Sequence, residues 1–351
     1  MAKYPPGKRK SFSHKLKNAN KTKGENPSSY LLRVLLSASP HYVSGSLLAQ
    51  KLKMSRVGVW SRMEKLRREG ISIEASQNLG YRLAGEPNKI NQPLLEAWIK
   101  QTGKTCSLHV YDCVDSTNLV AERLLTEGEK TPFAVLANEQ TLGKGRLGKA
   151  WISPKGGNIY LSLAFRPDED IIKLRSFTLW MGIRNAQCLR DLTNLKDISV
   201  KWPNDLLFKN LKIGGMLTEA SIDCERIRTL IFGLGLNVNA PRKSFSNTLK
   251  KSSTSLVKIV PGEIRLHEVA AQLINQSLKS YEECISEDIE TRLLSDWEDY
   301  DSLSGKKISV LAGRQKISGK AMGIDQTGGL RIKLRNGKFK IVHAGEVSVS
   351  K

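Results

Sequence analysis

The segment Gly143–Ala150, GKGRLGKA, combines three glycines with three cationic side chains. It has the G-x-G-x-x-G spacing of dinucleotide-binding loops and nearly the spacing of a P-loop, which also needs Ser or Thr after its lysine. Both kinds of loop present phosphate to the N-terminus of a following helix. Here Ala150 replaces the hydroxyl residue, and Pro154 and a strand-like run at Ile159–Phe165 follow. The sequence therefore predicts a basic, glycine-rich loop between two strands, and the alternative is a charged loop that holds no ligand.

Further polar stretches interrupt the apolar runs around this loop. Asp115–Asn118 precedes a helical pattern, so its hydroxyls and N–H groups could cap the helix or hold a ligand. Gln140 comes just before the glycine-rich loop, and Lys201–Asp205 is followed by a turn that brings Lys212 back to the same region. Gly233–Asn239 contains glycines, which allow a ligand to approach the backbone closely, together with the polar Asn237.

Composition limits the classes of protein to which the chain can belong. The 351 residues predict two or three domains, and 56 Lys and Arg against 34 Asp and Glu give a net charge of +22, which predicts a polyanionic partner. The stretch from residue 1 to 24 contains eight cationic residues and no acid, so we predict a disordered basic tail over residues 1–26, with a DNA-binding arm as the alternative. No export signal or membrane span is predicted, and we expect a cytoplasmic protein.

Cysteine and histidine patterns indicate neither disulfides nor a zinc site. The five cysteines form no C-x-x-C pair, which favours reduced thiols, and the five histidines are scattered along the chain.

Residues 27–86 have the pattern of a winged helix-turn-helix domain. Helical periodicity at Tyr30–Leu36, Ser46–Leu52 and Val57–Glu69 is followed by two strand-like runs, Ile71–Ala75 and Tyr81–Leu83. In such domains the second helix of the pair enters the major groove of DNA. The candidate DNA-binding residues on this third helix are Arg56, Ser61, Arg62 and Lys65. The alternative is a small helical domain with a solvated basic face.

The rest of the chain mixes helices and strands, so the whole is an α+β multidomain protein. Residues 90–298 form the predicted central domain, with helices near Phe177–Leu189 and from Leu266 onwards. In the C-terminal domain, residues 302–351, strand patterns and the Asn336–Gly337 hairpin signal predict a small β-barrel.

These stretches, in this order, resemble the family of bifunctional biotin protein ligases and biotin operon repressors, from about residue 30 onwards. The resemblance implies a central α/β catalytic domain of the biotin/lipoate-ligase type and an SH3-like C-terminal domain. It implies that ATP and biotin form biotinyl-5′-adenylate, after which biotin passes to a lysine of the biotin carboxyl carrier protein of acetyl-CoA carboxylase. The glycine-rich loop would hold the α-phosphate.

The same resemblance assigns roles to individual residues. The implied catalytic residues are Arg146, Lys212 and Asp205, and the carboxylate of Asp205 would hold Mg²⁺ or orient Lys212. The implied biotin-binding residues are Ser116, Thr117, Asn118, Gln140, Gly143, Lys144, Gly145, Arg146 and Lys212. The implied adenylate-binding residues are Arg146, Trp151, Asn204 and Asn237. The further implied partners are operator DNA and a second copy of the chain, in a ligand-promoted homodimer.

Two features of the sequence depart from the family pattern, and two alternative functions also remain open. Lys144 and Lys149 stand where the family usually has Arg, and the wing has Gln77–Gly80 where a Gly-Lys-Gly turn is commoner. One alternative is a lipoate-type protein ligase, which would use similar cations. The other is a ligand-sensing repressor with weak catalytic activity.

Overall fold

The computed structural model describes residues 24–239 and 252–350, so most of the predicted basic tail lies outside the described residues. These residues divide into two compact units. The first contains residues 24–105 and 265–271, and the second contains the remaining described residues. No helix in the described residues is long and apolar enough to cross a membrane.

The first unit contains the predicted helix-turn-helix and a two-stranded hairpin, with small shifts at the ends of the elements. The side chains of Asn26, Ser44 and Ser55 accept backbone N–H groups at the starts of its first three helices. Its elements are α1 (Pro27–Ala38), α2 (Gly45–Leu52), α3 (Arg56–Arg68), β1 (Ser72–Ser76), β2 (Gly80–Gly85) and α4 (Gln92–Thr102).

One face of α3 is buried, as its periodicity predicts. Val59, Met63 and Leu66 are almost fully buried. Their spacing at i, i+4 and i+7 places them on one side of the helix. The remaining faces of α3 are therefore available for polar and ligand contacts.

The second unit is built on a mixed β-sheet with strand order β3-β4-β5-β10-β9-β8-β7, in which only β3 and β4 are parallel. Its strands are β3 (Ser107–Tyr111), β4 (Phe133–Ala137), β5 (Ile159–Phe165), β6 (Glu169–Asp170), β7 (Ile198–Lys201), β8 (Asp205–Phe208), β9 (Leu211–Asp223) and β10 (Arg226–Leu236). Its helices are α5 (Thr117–Thr126), α6 (Phe177–Thr193), α7 (Leu266–Ser286, with residues 266–271 assigned to the first unit) and α8 (Glu290–Tyr300).

Helix α5 packs on this sheet, and this packing fixes the position of its N-terminal residues. Val120, Ala121 and Leu125 join a buried cluster with Phe133 and Val135 of β4. Burial of such side chains stabilises by about 1.5–3 kcal/mol each. The polar residues at the start of α5 are thereby held against the strands.

The C-terminal residues form a five-stranded antiparallel sheet of order β14-β13-β12-β11-β15. Its strands are β11 (Lys307–Ala312), β12 (Gln315–Ile324), β13 (Leu330–Lys333), β14 (Phe339–Val342) and β15 (Glu346–Val349). The predicted hairpin at Asn336–Gly337 joins β13 to β14. The indole N–H of Trp202 donates a 3.0 Å hydrogen bond to the carbonyl of Gly328 and so connects this sheet to the central one.

Candidate functional site

A cavity of about 360 Å³ lies in the second unit. This volume suits a small organic ligand. The start of α5, the glycine-rich loop, the β7–β8 turn, β9, β10 and the start of β15 line it. The sequence-predicted residues along its wall are Ser116, Thr117, Asn118, Gln140, Lys144, Gly145, Arg146, Trp151, Asn204, Asp205, Lys212 and Asn237. Gly143 lines an adjoining pocket.

Hydrogen bonds order the polar side chains at the start of α5. The backbone N–H and the hydroxyl of Thr117 donate to Gln140 Oε1 at 2.8 and 3.1 Å. Gln140 Nε2 donates to Ser153 Oγ at 2.7 Å. Ser116 makes no side-chain cap to the helix, so capping does not account for that hydroxyl. These groups therefore form a pre-ordered polar wall.

Sequence reasoning missed Ser162 and Glu219, which do not line the cavity but hydrogen-bond to Asn118 of this wall. Ser162 Oγ lies 2.6 Å from Asn118 Oδ1, and the amide of Asn118 donates to Glu219 Oε2 at 2.6 Å. Gly233 passes so close to the Asn118 amide that a Cβ there would overlap it. In the sequence, the one sign of Ser162 is that it is a small polar residue within the apolar run that forms β5.

Cations gather at another part of the cavity. Lys212 Nζ pairs with Asp205 Oδ1 at 2.6 Å, which confirms that the turn returns Lys212 to this region. The Arg146 guanidinium approaches Asn204 Oδ1 at 3.4 Å. Burial lowers the pKa of Arg146, and the charge of Asp205 opposes this shift. Burial also lowers the pKa of Lys201, a cation that sequence reasoning did not single out. A partly buried cation without a full complement of anionic partners favours an anionic ligand.

Trp151 forms part of the same wall, against a glycine-rich surface of β9 and β10. A Cβ at Gly235 would lie 2.5 Å from the Trp151 indole, and one at Gly215 would lie 3.2 Å from it. Lys212 Nζ lies 5.2 Å from the centre of a Trp151 ring. Trp151 Nε1 is buried and has no hydrogen-bond partner among the described residues. The indole thus offers a flat apolar surface and an unused donor.

Asn237 follows β10 and is buried at the cavity wall. Its side-chain amide donates to the carbonyl of Thr254 at 3.2 Å, and its backbone N–H donates to Ile213 at 2.8 Å. Its side-chain position is therefore fixed by neighbouring backbone.

The glycine-rich loop lies between β4 and β5, as predicted, and no α-helix follows it directly. The Gly145 N–H donates to the carbonyl of Lys149 at 2.7 Å, so this donor is used within the loop. The Lys149 ammonium forms an ion pair with Glu346 of β15, and this contact holds the pKa of Glu346 below its ordinary value. No sequence pattern pointed to Glu346.

The candidate DNA-binding residues of the first unit are not all brought together. Arg56, Ser61 and Lys65 are exposed on α3. Arg62 is half-buried instead, and its guanidinium donates to Ser28 Oγ of α1 at 3.1 Å. The exposed surface of α3 therefore includes Arg56, Ser61 and Lys65 but not Arg62.

Three domain models match the chain in order. The HTH domain matches residues 28–82, the Biotin/lipoate A/B protein ligase family matches residues 110–237, and the Biotin protein ligase C terminal domain matches residues 303–350. These ranges cover the helix-turn-helix, the central sheet with the cavity, and the C-terminal antiparallel sheet.

Whole-length relatives and solved structures agree with these matches. The bifunctional ligase/repressor BirA of Bacillus subtilis is 30% identical over 314 residues, which cover 90% of this chain and 96% of that protein. Its namesake from Escherichia coli is 29% identical over 324 residues, covering 90% of this chain and 95% of the other. The biotin protein ligase from Aquifex aeolicus in complex with biotin and ATP aligns with a TM-score of 0.57 and 27% identity, over 70% of this chain and all of that one. The chain belongs to the family of biotin protein ligases, with relatives across nine-tenths of its length that are bifunctional ligase/repressors.

Proposed function

We propose that the protein is an ATP-dependent biotin protein ligase that also acts as a biotin-responsive transcriptional repressor. One observation carries the ligase activity: a single cavity joins a neutral, hydrogen-bonded polar wall to a group of cations beside an indole. This arrangement suits the joining of a neutral ring system, a carboxylate and a nucleotide phosphate at adjacent positions.

In the first step, a carboxylate oxygen of biotin attacks the α-phosphorus of ATP. The new bond is the acyl phosphate of biotinyl-5′-adenylate, and the bond to the β-phosphate breaks with release of pyrophosphate. Ser116, Thr117, Asn118 and Gln140 bind the ureido ring, because their fixed donors and acceptors match its N–H and C=O groups. Arg146 and Lys212 offset the charge repulsion between the carboxylate and the phosphate.

The adenosine part of the ligand would occupy the other wall. Trp151 stacks on the adenine, Asn237 contacts the base, and Asn204 holds Arg146 toward the phosphate. Gly143, Lys144 and Gly145 keep the loop close to the bound ligands. Closure of this loop would exclude water that hydrolyses the acyl phosphate.

Asp205 is the residue with which Mg²⁺ would be associated. No group of three potential metal-ligating side chains lies within the described residues, and Asp205 is already paired with Lys212. A single carboxylate is enough for a Mg²⁺ ion that arrives bound to the phosphates of ATP, since Mg²⁺ usually binds through one or two carboxylates and the phosphates. When bound, the ion would neutralise charge on the phosphates, while Asp205 orients Lys212.

In the second step, the amino group of a lysine on a biotin carboxyl carrier protein attacks the acyl carbon, and AMP leaves. We assign the C-terminal domain an SH3-like fold, which its five-stranded antiparallel sheet supports. This domain would assist ATP and carrier-protein binding, because Gly345, Glu346 and Val347 reach the cavity. Both the carrier protein of acetyl-CoA carboxylase and operator DNA would be met in the cytoplasm.

The ligase proposal is tested by measuring pyrophosphate release with biotin and, separately, with lipoate. We expect release with biotin only, whereas a lipoate-type ligase would give the reverse result. Lys212→Ala should slow release by about 10²-fold or more, because a cation is lost where negative charge develops. A matched control is Lys209→Ala, in the β8–β9 turn three residues before Lys212, because the Lys209 side chain is 65% exposed and lies 4.0 Å from its ion-pair partner Asp197.

The two variants distinguish catalysis from folding. Near wild-type release by Lys212→Ala would remove this residue from the reacting centre. Equal loss in both variants would indicate damage to the turn. Absence of release from the wild-type protein with either acid would leave the ligand-sensing repressor as the better description.

A further inference from the structure

The exposed face of α3 carries apolar surface that its own unit does not bury. Val57 is 73% exposed and Trp60 is 54% exposed, while the opposite face supplies Val59, Met63 and Leu66 to the core. Val57 and Trp60 are three residues apart, so they lie on the same side of the helix. An exposed tryptophan beside an exposed valine indicates a surface that is covered by a partner.

The charge around these two side chains indicates what kind of partner this is. Arg56, Lys65 and Arg68 of α3 are exposed. The acid on this helix, Glu64, is paired with Arg67, which also donates to the carbonyl of Ile73 at 2.9 and 2.7 Å. The remaining excess is positive, so the complementary partner is a polyanion that also offers apolar groups. DNA is that partner for the second helix of a helix-turn-helix.

The major groove exposes one apolar group, the 5-methyl of thymine, whereas every other base edge there is a hydrogen-bond donor or acceptor. Val57 and Trp60 lie in the N-terminal half of α3, the part of a recognition helix that contacts base edges. Along a helix axis, three residues span about 4.5 Å, which is close to the 3.4 Å between successive bases on one strand.

We infer that Val57 and Trp60 contact the 5-methyl groups of thymines at neighbouring positions in each half-site. Arg56 and Lys65 contact the flanking phosphates, and Ser61 contacts a base edge. Arg62 supports α3 from inside the unit, through its hydrogen bond to Ser28. This inference rests on the proposed repressor function.

The test uses DNA in which only the methyl groups are changed. Duplexes are first selected from a random pool by the full-length protein with biotin and ATP, and the best duplex is then made with thymidine or with deoxyuridine at every thymine. At fixed salt, the wild-type protein should bind the deoxyuridine duplex about three- to fivefold more weakly for each methyl that it buries.

Three variants separate methyl recognition from other contacts. Val57→Ala and Trp60→Ala should weaken binding to the thymidine duplex and reduce the ratio between the two duplexes. Lys65→Ala is the matched control: it removes a phosphate contact, so it should weaken both duplexes equally and leave the ratio unchanged. Thermal unfolding of each variant checks that the unit is folded, which substitution at exposed positions should preserve.

The outcomes also separate this inference from the function on which it rests. If the wild-type protein selects no duplex, the repressor function fails and the inference fails with it. If it selects a duplex but binds both forms equally, the repressor function stands and the inference is overturned. A Trp60→Ala variant that loses self-association while keeping the wild-type ratio would assign Trp60 to a protein contact and overturn its role in DNA recognition.

Discussion

The cavity wall has an excess of positive side chains that its own carboxylates do not balance. Among the described residues, its cations are Lys144, Arg146, Lys149, Lys201 and Lys212, and its carboxylates are Asp205 and Glu346. Each carboxylate is already paired, Asp205 with Lys212 and Glu346 with Lys149. A phosphate group entering the cavity therefore meets cations whose repulsion it relieves, which is a favourable electrostatic term for ATP.

Lys201 gives this electrostatic argument a pH dependence. Its pKa is lowered by burial, with Lys212 and Lys149 acting in the same direction and Asp205 and Glu346 opposing them. As the pH rises, Lys201 thus loses its proton before an ordinary lysine does, and ATP binding should weaken on the alkaline side. Lys201→Arg keeps its charge at any accessible pH and should move this loss of affinity to higher pH.

The measurement is the dissociation constant of ATP as a function of pH. Lys155→Arg serves as the control, because Lys155 is exposed and does not line the cavity. Identical profiles for the wild-type protein and Lys201→Arg would show that another group controls the alkaline limb.

At the scale of secondary-structure elements, the features with a local sequence pattern could be predicted, whereas those that depend on long-range contacts could not. The helix-turn-helix was predictable because caps and apolar periodicity are properties of neighbouring residues, and the same holds for the loop between β4 and β5. The strand order of the central sheet was not predictable, since it depends on pairing between strands distant in the chain. The Lys149–Glu346 pair joins residues 197 positions apart and has no local signal.

The same distinction explains what was predicted of individual side chains. Helical spacing predicted Arg62 on the exposed surface of α3, but Arg62 is half-buried because its side chain turns toward Ser28 of α1, a contact that depends on how α1 packs. The family resemblance brought the cavity residues into one group, yet it could not supply the hydrogen bonds among Asn118, Ser162 and Glu219. Those depend on distances that only the folded sheet defines.

Strand β10 allows a prediction at this scale, because Gly235 contacts the half of the cavity that contains Trp151 and Gly233 contacts the half that contains Asn118. Gly235→Ala would push a methyl group against the Trp151 indole, and Gly233→Ala would push one against the Asn118 amide. Such overpacking costs about 1–3 kcal/mol. We expect Gly235→Ala to weaken the binding of ATP about five- to hundredfold and to affect the binding of biotin less. Gly233→Ala should weaken the binding of biotin more than that of ATP.

Isothermal titration of both variants with each substrate checks this prediction, and each variant is the control for the other. Loss of both affinities to the same extent in both variants would mean that β10 acts as one rigid floor, and the division of the cavity into two halves would be wrong.

At the scale of the whole molecule, one chain combines a ligase cavity with a DNA-binding domain, so the state of the cavity could control DNA binding. A single winged helix makes few base contacts, and specificity normally requires a dimer on two half-sites. Exposed apolar side chains at the glycine-rich loop could contribute to such a dimer: Leu142 is 66% exposed, Leu147 is 72% exposed and Ile152 is 50% exposed. Ligands that order this loop would then favour the homodimer.

We therefore expect the affinity for a palindromic operator from the organism's own biotin genes to rise when biotin and ATP are added. Coupling free energies of this kind are about 1–3 kcal/mol, which corresponds to an increase of about 5- to 150-fold. Excess carrier protein should reverse the rise, because it consumes the adenylate and competes for the same surface.

The experiment is a DNA titration at fixed salt, with sedimentation of the protein under the same conditions. Leu142→Ser should reduce both the ligand-promoted dimer and the rise in DNA affinity. Ile222→Ser is the matched control, since Ile222 is 54% exposed and lies toward the far end of β9, ten residues or about 33 Å from Lys212 along an extended strand. Equal DNA affinity with and without biotin and ATP would rule out the coupling, and a rise without dimer formation would place its origin within a single chain.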